Sequence, residues 1–128
     1  MATITASWTE NQSLQAAQTL NAAASDTDDI DIATAGYDAV LVQWIGTFNA
    51  SATAGATIEV FGSPDSGTNE DSIPLLSIPV AVSAGNTVKV SFTLEGVPYA
   101  AIKRTNVDAT YAITNETVLY AGRKWASA

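Results

Sequence analysis

The 128-residue chain contains no cysteine and no histidine. Their absence excludes disulfides, thiol nucleophiles, haem ligation by histidine, zinc sites built on Cys or His, and a Ser-His-Asp triad. Basic residues are also scarce, with 5 Lys and Arg against 13 Asp and Glu. Hydrophobic residues nevertheless make up 47% of the chain, which argues against disorder. We therefore expect a folded protein with no metal site, no cofactor and no enzymatic activity.

The few basic residues are confined to the C-terminal part of the chain. Residues 1–88 contain ten acidic and no basic residues, for a formal charge of −10, whereas residues 89–128 carry +2. A surface of this sign repels a phosphate backbone and an anionic bilayer, so we expect neither nucleic acid nor membrane among the partners. The sequence shows no secretory signal and no apolar run near the roughly 20 residues that span a bilayer, so we expect synthesis in a cytoplasm.

Alternating apolar and polar residues predict an all-β fold. The clearest alternation covers residues 88–95, which places Val88, Val90, Phe92 and Leu94 toward a core. Residues 37–48 are more continuously apolar and predict a central strand covered on both faces, with Trp44 in the core. Turn residues recur at about 8–12-residue spacing from residue 35 onward, which is typical of an antiparallel β-sandwich and indicates about eight strands.

Turn-forming residues divide the chain further. Gly85-Asn86 suits the positive φ values of a tight hairpin turn, and Asn106-Val107-Asp108 joins the last two predicted strands. The longest loop covers residues 62–67 and continues through residues 69–71. Residues 1–15 predict an extended N-terminal arm, and residues 16–128 a single sandwich domain whose first strand lies near residues 18–23. The alternative is a helix over residues 13–20, where good helix formers cluster.

Two groups of carboxylates resemble functional sites. The acidic run at residues 26–31 resembles an EF-hand loop, but a loop that starts at Asp26 has Asp31 where Gly is needed and Tyr37 where Glu is needed. Paired carboxylates of the long loop suit glycoside hydrolysis in principle, but no cluster of aromatic residues flanks them. We interpret the first group as a polar connection between strands and the second as a solvated loop.

The terminal tryptophans are candidates for contacts with a partner. Chain ends are loosely held unless something ties them down, so a large aromatic there either folds back on its own domain or anchors in a neighbour. Trp8 lies in the N-terminal arm, and Trp125 directly follows Arg123 and Lys124 on an otherwise acidic chain. We therefore expect Trp8, Arg123, Lys124 and Trp125 to form a partner contact site.

Several stretches of the chain resemble small virion proteins of tailed bacteriophages. They are residues 58–65 (Ile-Glu-Val-Phe-Gly-Ser-Pro-Asp), residues 97–106 (Val-Pro-Tyr-Ala-Ala-Ile-Lys-Arg-Thr-Asn), residues 111–115 (Tyr-Ala-Ile-Thr-Asn) and residues 119–122 (Leu-Tyr-Ala-Gly). The likeness lies in composition and turn placement over roughly residues 28–123. It implies a jelly-roll-like sandwich that forms a homotrimer, binds the major capsid protein and decorates the virion surface as a cement protein.

Two alternative functions stay open from the sequence. Other members of the same group serve in the tail or baseplate, and the likeness implies no individual functional residue. A carbohydrate-binding module is the second alternative, because exposed aromatic side chains on a β-sandwich stack on sugars. That alternative predicts Trp8 or Trp125 on an open face of the isolated protein.

Overall fold

The structure is a computed structural model that describes residues 4–65 and 69–127. This part of the chain consists of β-strands and loops: β1 (Ile4–Trp8), β2 (Gln12–Leu20), β3 (Ser25–Asp31), β4 (Ala39–Phe48), β5 (Ala56–Ser63), β6 (Leu76–Val80), β7 (Thr87–Glu95), β8 (Tyr99–Asn106) and β9 (Ile113–Ser127). Among the described residues, no helix has the length and apolar character required to cross a membrane.

The strands form two antiparallel sheets whose inner faces share one core. In sheet A the order is β1-β9-β4-β7, with β2 also paired to β9, and in sheet B it is β3-β8-β5-β6. Apart from β1, this is the order of an eight-stranded jelly roll, in which only the β5–β6 connection stays within one sheet. The predicted antiparallel, jelly-roll-like sandwich is therefore confirmed, with β1 as an additional strand.

The core lies between the sheets and is built from alternate side chains of facing strands. Trp44 is 1% exposed, as predicted, and packs in one cluster with Ile58 and Ile102 of sheet B. Phe92 and Leu94 of β7 are also buried. Val88 and Val90 are only partly buried, because β7 is the outermost strand of sheet A.

Two expectations about local structure are wrong. β4 is a central strand, but its outer face is only partly covered: Leu41 there is 40% exposed, while Ala39 is 0% exposed. Gly85 has the expected positive φ of 76°, yet the Gly85-Asn86 turn does not close a tight hairpin. It ends the connection from β6 to β7, which belong to different sheets.

The predicted N-terminal arm is extended, but it is paired into sheet A. β1 runs beside residues 123–127 of β9, and β2 begins within the predicted arm and runs beside residues 113–120. The helix alternative for residues 13–20 is wrong, since β2 covers that segment. Residues 1–3 of the arm and residues 66–68 of the predicted long loop lie outside the described residues.

One end of β9 extends past the rest of sheet A. β4 begins at Ala39, which lies opposite Arg123, so residues 124–127 of β9 pair with β1 alone. We call β1 together with residues 123–127 of β9 the terminal ribbon. It contains all four residues that the sequence predicts as a contact site.

Candidate contact site

The terminal ribbon brings three of the four predicted contact residues onto one face. Directly opposed residues of antiparallel strands share a face, and Trp8 lies opposite Arg123 while Ala6 lies opposite Trp125. The guanidinium carbon of Arg123 lies 5.6 Å from the Trp8 ring centroid and 5.7 Å from that of Trp125. These distances fit cation–π contacts with both indoles. We call Trp8, Arg123 and Trp125 the ribbon cluster.

Asp38, just before β4, holds the ribbon cluster in place. Its carboxylate accepts hydrogen bonds from Arg123 Nε at 3.1 Å, from Arg123 Nη2 at 2.9 Å and from Trp125 Nε1 at 2.6 Å. The hydrogen bond from Arg123 is the main cause of a lowered pKa at Asp38, and the same bond raises the pKa of Arg123. Sequence reasoning did not single out Asp38 as a contact residue, because its partners lie more than 80 positions away.

The ribbon cluster remains open to solvent despite these contacts. Trp8 is 49% exposed and Trp125 is 57% exposed. Trp and Arg are the residue types most enriched among the side chains that dominate protein–protein binding energy. The cluster thus presents two half-exposed indoles, packed against a neutralised arginine, at one end of the sandwich.

Lys124 does not join the cluster, although the sequence predicts it as a fourth member. Successive side chains of a strand point to opposite faces, so Lys124 points away from Arg123 and Trp125. Its Nζ lies 5.3 Å from the ring centroid of Tyr37. Gly122 makes room for that ring, because a Cβ at this position would lie 2.3 Å from it.

A second arginine cluster lies between the sheets. Arg104 of β8 and Glu116 of β9 are both 0% exposed. Arg104 donates from Nε to Glu116 Oε2 at 3.0 Å and from Nη2 to Oε1 at 3.1 Å. The same carboxylate accepts from the indole Nε1 of Trp44 at 2.7 Å and from the amide of Gln18 at 2.8 Å. Every oxygen of this buried carboxylate is therefore paired, as a charge in this environment requires.

Two aspartates of β3 complete this buried cluster. Asp28 Oδ2 lies 2.7 Å from Arg104 Nη1 in an ion pair without hydrogen-bond alignment, and Asp26 Oδ2 lies 3.3 Å from Nη2. Burial disfavours the charge on Arg104, but the hydrogen bond and charge of Glu116, together with Asp28, outweigh it and raise the arginine pKa. The interpretation of residues 26–31 as a polar connection between strands is wrong, since all six residues lie on β3.

Asp108 fastens the end of the sandwich opposite the terminal ribbon. Its Oδ1 accepts from the main-chain N–H of Thr110 at 2.8 Å and of Tyr111 at 2.9 Å. Its Oδ2 accepts from the N–H of Thr53 at 2.9 Å and of Ala54 at 3.2 Å. These main-chain bonds, led by that from Thr53, hold the pKa of Asp108 far below its usual range. The carboxylate therefore ties the β4–β5 loop to the turn before β9.

The carboxylates of these arrangements are held by other groups of the described part of the chain. Over residues 4–65 and 69–127, no three His, Cys, Asp or Glu side chains are grouped to hold a metal ion. The carboxylates of the buried cluster are committed to Arg104, and that of Asp108 to main-chain donors. Among the described residues, the exposed aromatic side chains are those of Trp8 and Trp125 in the ribbon cluster.

Comparison with known proteins adds information on the fold alone. The chain matches no protein-family model and no curated protein sequence. Among solved structures, latent PorU from Porphyromonas gingivalis is similar with a TM-score of 0.51 and 11% identity, over 96% of this chain and 13% of PorU. A protein of Bacillus endospore appendages, which form disulfide-linked pili, has a TM-score of 0.47 and 18% identity, over 97% of this chain and 89% of its own.

A family 16 carbohydrate-binding module is also similar, with a TM-score of 0.43 and 9% identity, over 86% of this chain and 75% of the module. At such identities these likenesses concern the arrangement of strands and not what the proteins bind. The chain is an all-β protein of the sandwich type.

Proposed function

We propose that this protein is a capsid decoration protein of a tailed bacteriophage, a non-catalytic subunit that attaches to the assembled lattice of the major capsid protein. The observation that carries the proposal is the exposed ribbon cluster at one end of an otherwise acidic jelly roll. Asp38 already orders Arg123 and Trp125, so binding costs less side-chain entropy than it would for free side chains.

The nature of the partner follows from the resemblance of residues 28–123 to virion proteins. A protein that binds the assembled lattice but not its separated subunits stabilises the lattice by mass action. Location on the virion surface, after synthesis in the host cytoplasm, and the homotrimer are parts of the same proposal. They are supported by that resemblance and by the jelly-roll strand order.

Binding to particles that lack the protein tests the proposal. We expect Trp8→Ala, Arg123→Ala and Trp125→Ala each to weaken binding by about tenfold or more, as truncation of a central Trp or Arg does at interfaces. The sequence predicts Lys124 as a contact residue, whereas the structure places its side chain on the other face of the terminal ribbon. We therefore expect Lys124→Ala to bind particles with an occupancy near that of the wild type.

Lys103→Ala on β8 of sheet B is the matched control, because it removes the same charge far from the terminal ribbon. Full occupancy by all three cluster variants would exclude the ribbon cluster as the attachment site. A tail or baseplate position is the closest alternative, and cryo-electron microscopy of the particle distinguishes it by location.

Carbohydrate binding is a second candidate, favoured by one observation. Trp8 and Trp125 both lie on an open face, as that function predicts. Arg123 lies over both rings, which leaves less indole surface for stacking on a sugar. Titration of tryptophan fluorescence with soluble oligosaccharides tests this candidate: a saturable change that Trp125→Ala removes would support it, and an unchanged spectrum would exclude it for the sugars used.

A further inference from the structure

The terminal ribbon has an open strand edge that the ribbon cluster does not use. Along a strand, the main-chain groups of alternate residues point to the same edge. On β9, the carbonyl of Arg123 accepts the N–H of Asp38 at 3.0 Å on the β4 side, whereas the carbonyl of Gly122 accepts the N–H of Thr9 at 2.8 Å on the opposite side. The N–H and C=O of Trp125 and Ser127 therefore point in the same direction as those of Arg123, beyond the end of β4.

Within residues 4–65 and 69–127, no strand lies against this edge. β4 begins at Ala39, opposite Arg123, and the chain before it leaves the sheet through Gly36, which has a φ of +80°. Among the described residues, the main-chain donors and acceptors of Trp125 and Ser127 on this side therefore have no partner strand, and they lie next to a half-exposed indole. Unpaired edge groups of this kind are a template for another strand.

We infer that this edge pairs with the same edge of a second copy of the chain, antiparallel and around a two-fold axis at Ala126. In this register Trp125 of each copy lies opposite Ser127 of the other, and each opposed pair exchanges both main-chain hydrogen bonds. The product is one continuous antiparallel sheet in the order β1-β9-β9-β1. In this arrangement the rest of each sandwich lies at a different end of the new sheet, so the two sandwiches do not occupy the same space.

Charge and geometry favour a second copy as the occupant. The paired segments of the two copies do not include Arg123, because its carbonyl on the β4 side already accepts a hydrogen bond from the N–H of Asp38. The overlap covers residues 125–127, Trp-Ala-Ser, none of which is charged, so no two like charges face each other. The two Trp125 side chains share the outer face at diagonal positions, which lie within reach of aromatic side chains.

The contact is short, and this sets its expected strength. Stable complexes bury about 1,200–2,000 Å² in total, more than a few residues of one strand edge provide. We therefore expect a weak dimer whose population depends on protein concentration. The contact uses the main chain of the edge and not the side chains of the ribbon cluster, so it goes beyond the proposed function and does not depend on binding to a capsid.

Sedimentation velocity over micromolar to millimolar concentrations tests the inference. Ser127→Pro removes an N–H from the open edge and leaves the bonds between β9 and β1 in place, because the N–H of residue 127 points away from β1. Ser127→Ala retains the N–H and is the matched control. We expect the wild type and Ser127→Ala to dimerise with the same dissociation constant, and Ser127→Pro to dimerise at least about tenfold more weakly.

Amide hydrogen exchange supplies a second readout. Protection of the Trp125 N–H should rise with concentration in the wild type and not in Ser127→Pro. A monomer at every concentration would overturn the inference, as would equal association of all three proteins. If the copies also form the proposed trimer through another surface, the inference concerns the further association of trimers, and a further association that Ser127→Pro does not weaken would overturn it.

Discussion

Arg104 and Arg123 each make two hydrogen bonds to a single carboxylate, and their surroundings differ. Arg104 bonds to Glu116 between the sheets, where both side chains are fully buried. Arg123 bonds to Asp38 at the surface, with side-chain exposures of 26% and 38%. In each cluster an indole N–H also donates to the carboxylate, from Trp44 inside and from Trp125 outside. The same set of chemical groups is thus built twice, once buried and once exposed.

Because one cluster is buried and the other is exposed, we expect the first to contribute to folding stability and the second to binding. A buried ion pair is costly to desolvate and strongly destabilising when one partner is removed, so Arg104 and Glu116 depend on each other. An exposed pair contributes little to folding, because water and salt screen it. The exposed cluster therefore orders Arg123 and two indoles while leaving their surface available to another molecule. We expect variants of the two clusters to affect different measurements.

The largest expected effect is on the buried cluster. Arg104→Met removes the cation that pairs with Glu116, Asp26 and Asp28 and should lower the free energy of unfolding by about 3–5 kcal/mol. Urea unfolding monitored by circular dichroism measures this loss. The double variant Arg104→Met/Glu116→Leu should be less destabilised than Arg104→Met alone, since it also removes the uncompensated carboxylate. A single variant as stable as the wild type would show that Arg104 is not structural.

The second effect is on the pH dependence of stability, where we expect Asp108, which accepts hydrogen bonds from main-chain N–H groups, to differ from a carboxylate at the surface. The pKa of Asp108 is lower in the folded than in the unfolded chain, so its contribution to stability is complete above the unfolded pKa of about 3.9. The contribution is lost as the pH falls below that value toward the folded pKa. Asp108→Asn should lower the melting temperature at pH 7 and reduce the further loss on acidification below about pH 4.

Melting temperatures of both proteins between about pH 2 and pH 7 measure this difference. Glu10→Gln on an exposed residue is the control and should melt like the wild type throughout. Parallel curves for Asp108→Asn and the wild type would show that the four main-chain bonds to Asp108 do not determine the acid sensitivity.

The fold was predictable because its strands keep their pattern along the chain. Val88, Phe92 and Leu94 alternate with polar residues, and turn residues mark most strand ends. β6 was missed as an individual strand, although Leu76, Ile78 and Val80 also alternate. Its Pro79 argues against a central strand, and β6 is in fact an edge strand, where proline is tolerated.

The contact site was only partly predictable, for reasons of register. Aromatic residues near both chain ends pointed to Trp8 and Trp125, but the pattern of turn residues did not show that β9 continues to Ser127. With that longer strand, alternation alone separates Lys124 from Arg123 and Trp125. Asp38 could not be found in this way, because its contact depends on how β9 pairs with β4.

The buried cluster was missed although the sequence contains a sign of it. Ile102, Arg104 and Asn106 occupy successive inward positions of one strand, so a charged residue falls where the pattern requires burial. A charge at such a position needs a buried partner. Glu116 could not be identified as that partner, since it lies on the other sheet and pairing between sheets leaves no periodic pattern in the sequence.

We expect the smallest effect on stability from variants of the exposed ribbon cluster, and this effect tests most directly how that cluster differs from the buried one. Asp38→Ala removes the acceptor of Arg123 and Trp125 but no buried contact, so the urea midpoint should stay within error of the wild type. The indole N–H resonances report the local change. In a ¹⁵N-correlated spectrum, that of Trp125 should shift, because it loses a 2.6 Å hydrogen bond, and that of Trp44 should not, because Glu116 still accepts it. If Asp38→Ala instead destabilised the protein as much as Arg104→Met, the ribbon cluster would be part of the folding core and not a surface reserved for a partner.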